Sequence, residues 1–192
     1  MIILASGSPR RQSLLAHLGV SFEIDVSNLD EVIPDGVAPK DAAEMMAVDK
    51  ARSVAERHPD KLVLAADTIV VLDGTILGKP DSPEEARRML RSLSGRTHAV
   101  YTGVALVGKD SGREVVDHEK TLVTFSPLTD DEIDEYVASG SPFDKAGAYG
   151  IQDDRGALFV CSIEGDYYNV MGLPVSKVYR LAREHFPDLR IF

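Results

Sequence analysis

The spacing of apolar and polar positions in the first half of the chain predicts short strands alternating with helices. The predicted strands are Met1–Leu4, Phe22–Val26 and Leu62–Ala66. Prolines near their starts and apolar positions at helical spacing predict helices over about Pro9–Leu18 and Pro39–Arg57. Asp73-Gly74 predicts a hairpin turn after the third strand.

The second half of the chain continues this alternation, with a long hairpin inserted. Ser82–Leu93 and Thr129–Ser139 are predicted helices, each opened by a capping box in which a glutamate follows the serine or threonine by three positions. The remaining predicted elements are strands His98–Val107 and Val115–Phe125, joined through Lys109–Gly112, a strand Ala157–Ile163 and a helix Pro174–His185.

This order of elements predicts the α/β class. Hairpins interrupt the alternation of strands and helices, so we expect a mixed, twisted central sheet with helices on both faces. The chain has no internal repeat, low-complexity tract or long linker. A length of 192 residues corresponds to one large domain or two small lobes, and it is enough to bury a proper core.

Composition narrows the classes of protein and partner. Hydrophobic residues make up 44% of the chain and charged residues 27%, and no apolar run approaches the roughly 18 residues of a membrane span. The opening "MIIL" passes directly into a polar loop, so we expect neither a signal peptide nor membrane association. The single cysteine, Cys161, cannot form an internal disulfide, which favours the cytoplasm. A net charge of −10 argues against binding a nucleic-acid polymer, although clustered cations can still bind a small polyanion.

The segment "ASGSPRRQSLL" (residues 5–15) has the pattern of an anion-binding site. Ser8-Pro9 predicts a helix start with a serine cap, and Arg10 and Arg11 then fall in the first turn. Cations there oppose the helix dipole at about 0.3–1 kcal/mol each, so a compensating ligand is expected. Backbone N–H groups, the Ser6 hydroxyl and two guanidinium groups would suit a multiply charged phosphate. The alternative is that both arginines pair with surface acids, and GxxxxGK[ST] is absent.

A second candidate segment is "AADTIVVLDGTILGKP" (residues 65–80). Asp67 follows an apolar run, so we expect it at the carboxyl edge of the sheet, where ligands bind in α/β folds. A carboxylate buried there needs a metal, a cation or water, and Mg²⁺ is commonly held by one or two carboxylates together with substrate phosphates. Lys79 would add positive charge for the phosphates. Alternatively, Asp67 only caps the following turn.

Three further polar positions are candidates. Glu31, in the acidic loop "LDEVIPDG", is a candidate second metal carboxylate, although such loops are usually only solvated. Lys50 lies within the predicted long helix and can equally be a surface lysine. In "FDKAGAYGIQ", small residues allow close backbone approach to a planar ligand, and the Gln152 amide can read a base edge with an N–H beside a carbonyl, as in uracil and thymine. A plain turn is the alternative there.

The cysteine and histidines are predicted to be structural. Cys161, in "LFVCSI", is expected to be a small core residue on a buried strand rather than a nucleophile. The five histidines show no ligand spacing such as HxxxH, which argues against a zinc site.

Together, several segments resemble the Maf family of nucleoside-triphosphate pyrophosphatases. In the family's order these segments are "ILASGSPRRQSLL", "AADTIVVLDGTILGKP", "LSGRTHAVYTGVAL", "DKAGAYGIQ" and "GALFVCSIEGDYYNVMGLPVSK", and they cover nearly the whole chain. The resemblance implies that residues 1–192 form a single Maf/ITPase-like domain of two lobes with the active-site cleft between them. It also implies a homodimer, a divalent cation (Mg²⁺ or Mn²⁺) and hydrolysis of a nucleotide to its monophosphate and pyrophosphate.

The resemblance also implies residue roles. Asp67 matches the catalytic proton acceptor and, with Glu31, the metal ligands. Phosphate-binding positions are Ser6, Arg10, Arg11, Lys50 and Lys79. Positions tied to substrate choice are Arg11, Thr68 and Gln152. On this basis residues 10, 11, 50 and 79 are expected to converge near Asp67.

The segments around Thr68 and Gln152 resemble the branch of the family that acts on dTTP and UTP, with 5-modified pyrimidine nucleotides as further candidate substrates. One departure is "DDRG" (residues 153–156) in place of a short glycine-led turn, which adds negative charge beside the expected base pocket. The rival function is a nucleotide-binding regulator of cell division and septum formation with little turnover.

Overall fold

The computed structural model describes residues 1–29, 33–34, 36–152, 155–189 and 191. Within these residues the strands are β1 (Ile2–Leu4), β2 (Phe22–Ile24), β3 (Leu62–Leu72), β4 (Thr75–Leu77), β5 (Thr97–Gly108), β6 (Arg113–Phe125) and β7 (Val160–Glu164). The helices are α1 (Pro9–His17), α2 (Pro39–Ala55), α3 (Pro83–Leu93), α4 (Asp130–Ala138), α5 (Gly156–Phe159), α6 (Tyr167–Met171) and α7 (Val175–His185). None of the described helices is long and apolar enough to cross a membrane.

The strands form a mixed sheet, as the alternation of elements predicts. They pair in the order β2-β1-β3-β5-β6-β7, and β4 pairs with β3. β1 runs parallel to both β2 and β3, whereas β4 is antiparallel to β3 and β7 is antiparallel to β6. The α/β class with a helix-flanked mixed sheet is therefore confirmed.

The chain divides into two compact units whose boundaries fall within β3, β5 and β6 and directly after α6. The first unit contains Met1–Asp67, Thr102–Glu119 and Gly172–Phe192, and the second contains Thr68–Tyr101 and Lys120–Met171. Each unit has its own apolar core.

In the first unit, α2 packs closely on the sheet because the facing residues are small. Its buried positions include Ala43, Ala47 and Ala51. At Gly103 of β5, an added Cβ would lie 2.1 Å from the Ala43 carbonyl oxygen, a distance at which only glycine fits. Polar side chains on the sheet-facing side of α2 are consequently held against the strands.

In the second unit, α3 and α4 pack together and aromatic rings fill the core. His98 is buried between Phe125 and Tyr149 in edge-to-face contacts, and its Nε2 forms a 2.7 Å hydrogen bond with the Tyr149 hydroxyl. Its Nδ1 atom is buried without a hydrogen-bond partner. Burial lowers the pKa of His98 to about 4 and raises the pKa of Tyr149. His98 is therefore neutral in the folded protein at neutral pH.

This buried histidine predicts loss of stability in acid. The unfolded chain binds a proton at His98 as the pH falls through about 6.5, whereas the folded chain resists until about 4. The free energy of unfolding should fall by roughly 3 kcal/mol across that window because of His98. Urea unfolding at several pH values between about 7 and 4.5 measures this fall in the free energy of unfolding. The dependence of that free energy on pH should be weaker in His98→Phe. It should be unchanged in the control His17→Gln, since His17 is exposed. Equal slopes in the parent and His98→Phe would contradict the assignment.

Four local predictions were wrong in informative ways. β3 does not end before Asp67 but runs to Leu72, because residues 68–72 are β-branched or apolar and residues 70–72 pair with β4. Asp67 therefore lies at mid-strand rather than at the sheet edge. Ser8 does occupy the N-cap of α1 but makes no side-chain cap. Residues 157–159 belong to the short helix α5 rather than to the last strand. Cys161 is exposed on β7, the last strand in the described order, and is not a core residue.

Candidate active site

The loop after β1 and the first turn of α1 hold Arg11 in a defined orientation. Arg11 Nη1 donates to Ser6 Oγ at 2.9 Å, and Arg11 Nε donates to the Gly172 carbonyl oxygen at 2.8 Å. Ser6 is buried, and its Oγ also accepts the Ser8 backbone N–H at 3.3 Å. Arg11 thus contacts one hydroxyl group and one backbone carbonyl. Arg10 is half-buried in the first turn of α1.

A buried ion pair joins α2 and β3 in the first unit. Lys50 Nζ lies 2.5 Å from Asp67 Oδ1, and each residue is only 8% exposed. Lys50 is thus not the surface lysine of the alternative reading, and Asp67 does not cap a turn. Two charges removed from water need close pairing, because the desolvation cost of either one alone is several kcal/mol. The pair places a carboxylate in a low-dielectric site where its interactions with other charges are strong.

The second unit carries Thr68, Lys79 and Gln152. Thr68 is half-buried on β3, directly after Asp67, whereas Lys79 is exposed and Gln152 is half-buried. The Gly147 N–H donates to the Gly78 carbonyl oxygen at 3.0 Å, which joins the turn before Gln152 to the loop carrying Lys79. Gly147 has a φ of +69°, and an added Cβ would lie 2.9 Å from Val70, so glycine is required there.

Lys145, in the same segment, is engaged within its own turn. Its ammonium donates to Asp144 Oδ1 and to the Ser141 carbonyl, each at 2.6 Å, and the residue is buried. The contacts of Asp144 and Lys145 therefore agree with the alternative that this segment is a plain turn. Gln152 stays a candidate for contact with a base, and the neighbouring Asp153 and Asp154 lie outside the described residues.

Of the two predicted metal ligands, only Asp67 lies among the described residues. Glu31 lies outside the described residues. Asp67 supplies a hard oxygen donor, which fits Mg²⁺ or Mn²⁺ in its chemistry, while Lys50 contacts one of its two carboxylate oxygens.

Among the described residues, one further group can hold a metal ion. Glu44, Asp117 and His118 are half-buried, and their ligand atoms lie within 4.8 Å of one another. His118 Nδ1 is 2.6 Å from Glu44 Oε1, and Lys177 Nζ is 3.0 Å from Asp117 Oδ2. Histidine spacing could not reveal this group, because its members lie on α2 and β6, more than 70 positions apart. The group can be recognised only from the proximity of its ligand atoms in the folded structure.

Sequence reasoning also missed Gly172. Its contribution to the site is a backbone carbonyl, which any residue possesses, so no residue type marks it.

Comparisons with known proteins agree with the motif resemblance. The family model described as Maf-like protein matches residues 1–185. A dTTP/UTP pyrophosphatase of Moorella thermoacetica is 57% identical over 180 residues, which cover 94% of this chain and 92% of that protein. A dTTP/UTP pyrophosphatase of Salinibacter ruber is 54% identical over 188 residues, covering 98% of this chain and 92% of that protein.

A solved structure supports the fold independently. The HAM1 protein from Coxiella burnetii matches with a TM-score of 0.53 and 15% identity, covering 95% of this chain and 98% of that one. At this identity the likeness concerns the fold alone. The family model and the two relatives extend over almost the whole chain, and on that evidence the chain belongs to the Maf-like protein family.

Proposed function

We propose that this chain is a nucleoside-triphosphate pyrophosphatase that hydrolyses dTTP and UTP to the nucleoside monophosphate and pyrophosphate. The observation that carries the proposal is the identity of 54–57%, over nearly the full length, to relatives named dTTP/UTP pyrophosphatase. The buried Lys50–Asp67 pair and the anchored Arg11 support it, because they supply an acidic group and cations of the kind that such a hydrolysis uses.

The reaction requires water to attack the α-phosphorus while the bond to the bridging oxygen of the leaving pyrophosphate breaks. In our proposal Asp67 accepts the proton of the attacking water. Lys50 orients the Asp67 carboxylate through the 2.5 Å contact. Because the water must lie within hydrogen-bond reach of Asp67, the Lys50 charge is then also close to the phosphate under attack.

The remaining phosphate contacts are assigned to cationic and hydroxyl groups. We propose that Ser6, Arg10, Arg11 and Lys79 bind the triphosphate, since guanidinium groups match phosphate oxygens and a lysine adds a point charge. Asp67 and Glu31 would hold Mg²⁺ or Mn²⁺, which when bound neutralises charge developing on the phosphates.

Choice of the base is assigned to Arg11, Thr68 and Gln152. A glutamine amide offers a carbonyl acceptor and an N–H donor, which complement the N3–H and adjacent carbonyl of uracil and thymine. Cytosine presents an unprotonated N3 beside an amino group instead, so an amide held in the orientation that suits uracil loses both contacts. The substrate class proposed here therefore includes 5-substituted uracil nucleotides, because substitution at C5 leaves that base edge unchanged.

A pyrophosphate-release assay tests the proposal directly. The full chain is incubated with dTTP, UTP, CTP, GTP and 5-substituted pyrimidine nucleotides, with Mg²⁺, with Mn²⁺ and with excess chelator. We expect release from dTTP and UTP that depends on the metal. Tight nucleotide binding without release would instead favour the regulator of septum formation.

Gln152→Ala is expected to reduce discrimination between UTP and CTP by about 10- to 100-fold in kcat/KM, since each lost base contact is worth roughly 1–3 kcal/mol. Competition assays with the two nucleotides measure the ratio. Inhibition by inorganic triphosphate serves as the control and should be unchanged, because Gln152 is assigned to the base and not to the phosphates. An unchanged preference ratio would remove Gln152 from base recognition.

We further propose that the protein acts as a homodimer in the cytoplasm. The motif resemblance supports the dimer, as do the exposed apolar side chains Leu18, Ile24, Val26 and Leu29 around β2, an end strand of the described order. The single cysteine supports a reducing compartment. Light scattering across a concentration series measures the oligomeric state, and a constant monomer mass would refute the dimer.

A further inference from the structure

Arg11 is fixed at two points that are far apart in sequence. Its Nε donates to the carbonyl of Gly172, 161 positions away, and its Nη1 donates to the hydroxyl of Ser6, which precedes it by 5 positions. Because the guanidinium group is planar and rigid, two bonds from different nitrogens set the direction of its plane. The position of the Gly172 carbonyl thus determines where Arg11 can direct its charge.

The Gly172 carbonyl is in turn placed by the start of α7. Gly172 has a φ of +110°, in the region that favours glycine, and the next residue, Leu173, is completely buried. Pro174 then leads directly into the first turn of α7. This segment has little freedom to move independently of the helix that follows it.

Lys177 anchors that first turn to β6. Its Nζ donates to the His118 carbonyl at 2.5 Å and to Asp117 Oδ2 at 3.0 Å, and it lies 3.6 Å from Glu119 Oε2. A lysine in a first helical turn is opposed by the helix dipole, and this turn contains no acidic residue. The contacts to β6 offset that cost, so Lys177 acts as an attachment and not as a solvated surface charge.

The attachment point on β6 is itself held from a second direction. The His118 N–H donates to Asp117 Oδ1 at 2.7 Å, and His118 Nδ1 is 2.6 Å from Glu44 of α2. The backbone of α2 packs directly against the backbone of β5 at Gly103. Lys177 therefore joins α7 to a firmly packed part of the first unit.

We propose that Lys177 is a positioning residue for Arg11: it anchors the first turn of α7 to β6, and α7 places the Gly172 carbonyl that orients the guanidinium group. The effect of Lys177 on the choice of nucleotide rests on the role in substrate choice that is proposed above for Arg11. A displacement of about 1 Å at such a group can change rates by roughly 100-fold, so an anchor remote from the chemistry can still control it.

Hydrogen exchange at the Arg11 Nε–H tests the structural link without using activity. Its side-chain NMR resonance is assigned by loss of the signal in Arg11→Lys. In Lys177→Met we expect exchange with water to accelerate by about tenfold or more, because the acceptor carbonyl is no longer held in place. Lys177→Arg, which retains a cationic donor, should restore much of the protection. Lys109→Met is the matched control, since it removes an exposed lysine–glutamate pair in the same unit and should change nothing at Arg11. Unchanged Arg11 exchange and chemical shift in Lys177→Met would overturn the proposal.

A kinetic cycle separates this inference from the proposed function. Lys177→Met should reduce the UTP-to-CTP preference by about 5- to 50-fold in the parent, yet have little further effect in Arg11→Lys, because coupled residues are not additive. Additive losses in the two backgrounds would overturn the proposal. Loss of Arg11 protection with an unchanged preference would uphold Lys177 as the anchor and refute the role of Arg11 in nucleotide choice. Should Lys177→Met fail to fold, Asp117→Asn weakens the same anchor while leaving the His118 carbonyl as acceptor, and the same two readouts apply.

Discussion

Asp67→Asn is expected to lower kcat by about 100- to 10,000-fold while changing the nucleotide dissociation constant by only a few-fold. Asparagine has nearly the same shape and still offers an oxygen to Lys50, but it cannot accept a proton from water. Single-turnover pyrophosphate release gives the chemical step, and equilibrium binding of a non-hydrolysable UTP analogue gives the affinity.

Asp73→Asn is the matched control for this experiment. Asp73 lies on the exposed turn after β3, pairs with Arg96 at the surface and has a φ of +49°, a conformation that asparagine tolerates. The kcat of the Asp73→Asn variant should remain within about twofold of the parent value, because most surface substitutions have small effects. Equal losses of kcat and affinity in Asp67→Asn, or no loss, would exclude Asp67 as the base.

Lys50→Met is expected to lower the free energy of unfolding by about 3–5 kcal/mol, because it leaves the Asp67 carboxylate buried beside an apolar side chain. The same variant should lose most activity, since the carboxylate is no longer oriented. Urea unfolding monitored by circular dichroism measures the first effect, and pyrophosphate release well below the unfolding midpoint measures the second.

The double variant Lys50→Met/Asp67→Asn separates the two consequences. Removing both charges should recover much of the lost stability, because no isolated charge remains buried, yet activity should stay absent. The surface ion pair between Arg57 and Asp25 provides the contrast; Arg57 and then His58 lower the pKa of Asp25 to about 2. Arg57→Met should cost about 1 kcal/mol or less, as exposed pairs usually do. A double variant no more stable than Lys50→Met would contradict the assignment of the stability loss to an unpaired carboxylate.

Local sequence patterns predicted most of the elements, because capping residues, prolines and apolar spacing act over a few positions. The capping box of Thr129 with Glu132 is present in both directions, and the turn at Asp73-Gly74 joins β3 and β4 as expected. Prediction was wrong where two signals competed. The charged Asp67 suggested the end of a strand, yet β3 continues past it to Leu72, and its last three residues pair with β4.

The placement of the candidate residues was only partly predictable. Ser6 and Arg11 lie within one loop and helix turn, so their proximity follows from local geometry. Lys50 was expected to bind phosphate near Asp67, and the 2.5 Å ion pair between the two depends on α2 packing closely over the sheet at Gly103. The roles of Gly172 and Lys177 had no local signal, since one is a backbone carbonyl and the other one of many lysines.

The sequence by itself determined the class of fold, the family and the residue types available for phosphate chemistry, because these depend on periodicity and on motifs read along the chain. Only the tertiary structure decided which charges are removed from water together, that Cys161 is exposed, and that α7 and β6 support Arg11. The physical reason is that burial, ion pairing and hydrogen bonding between distant segments depend on distances through space, which no spacing along the chain specifies.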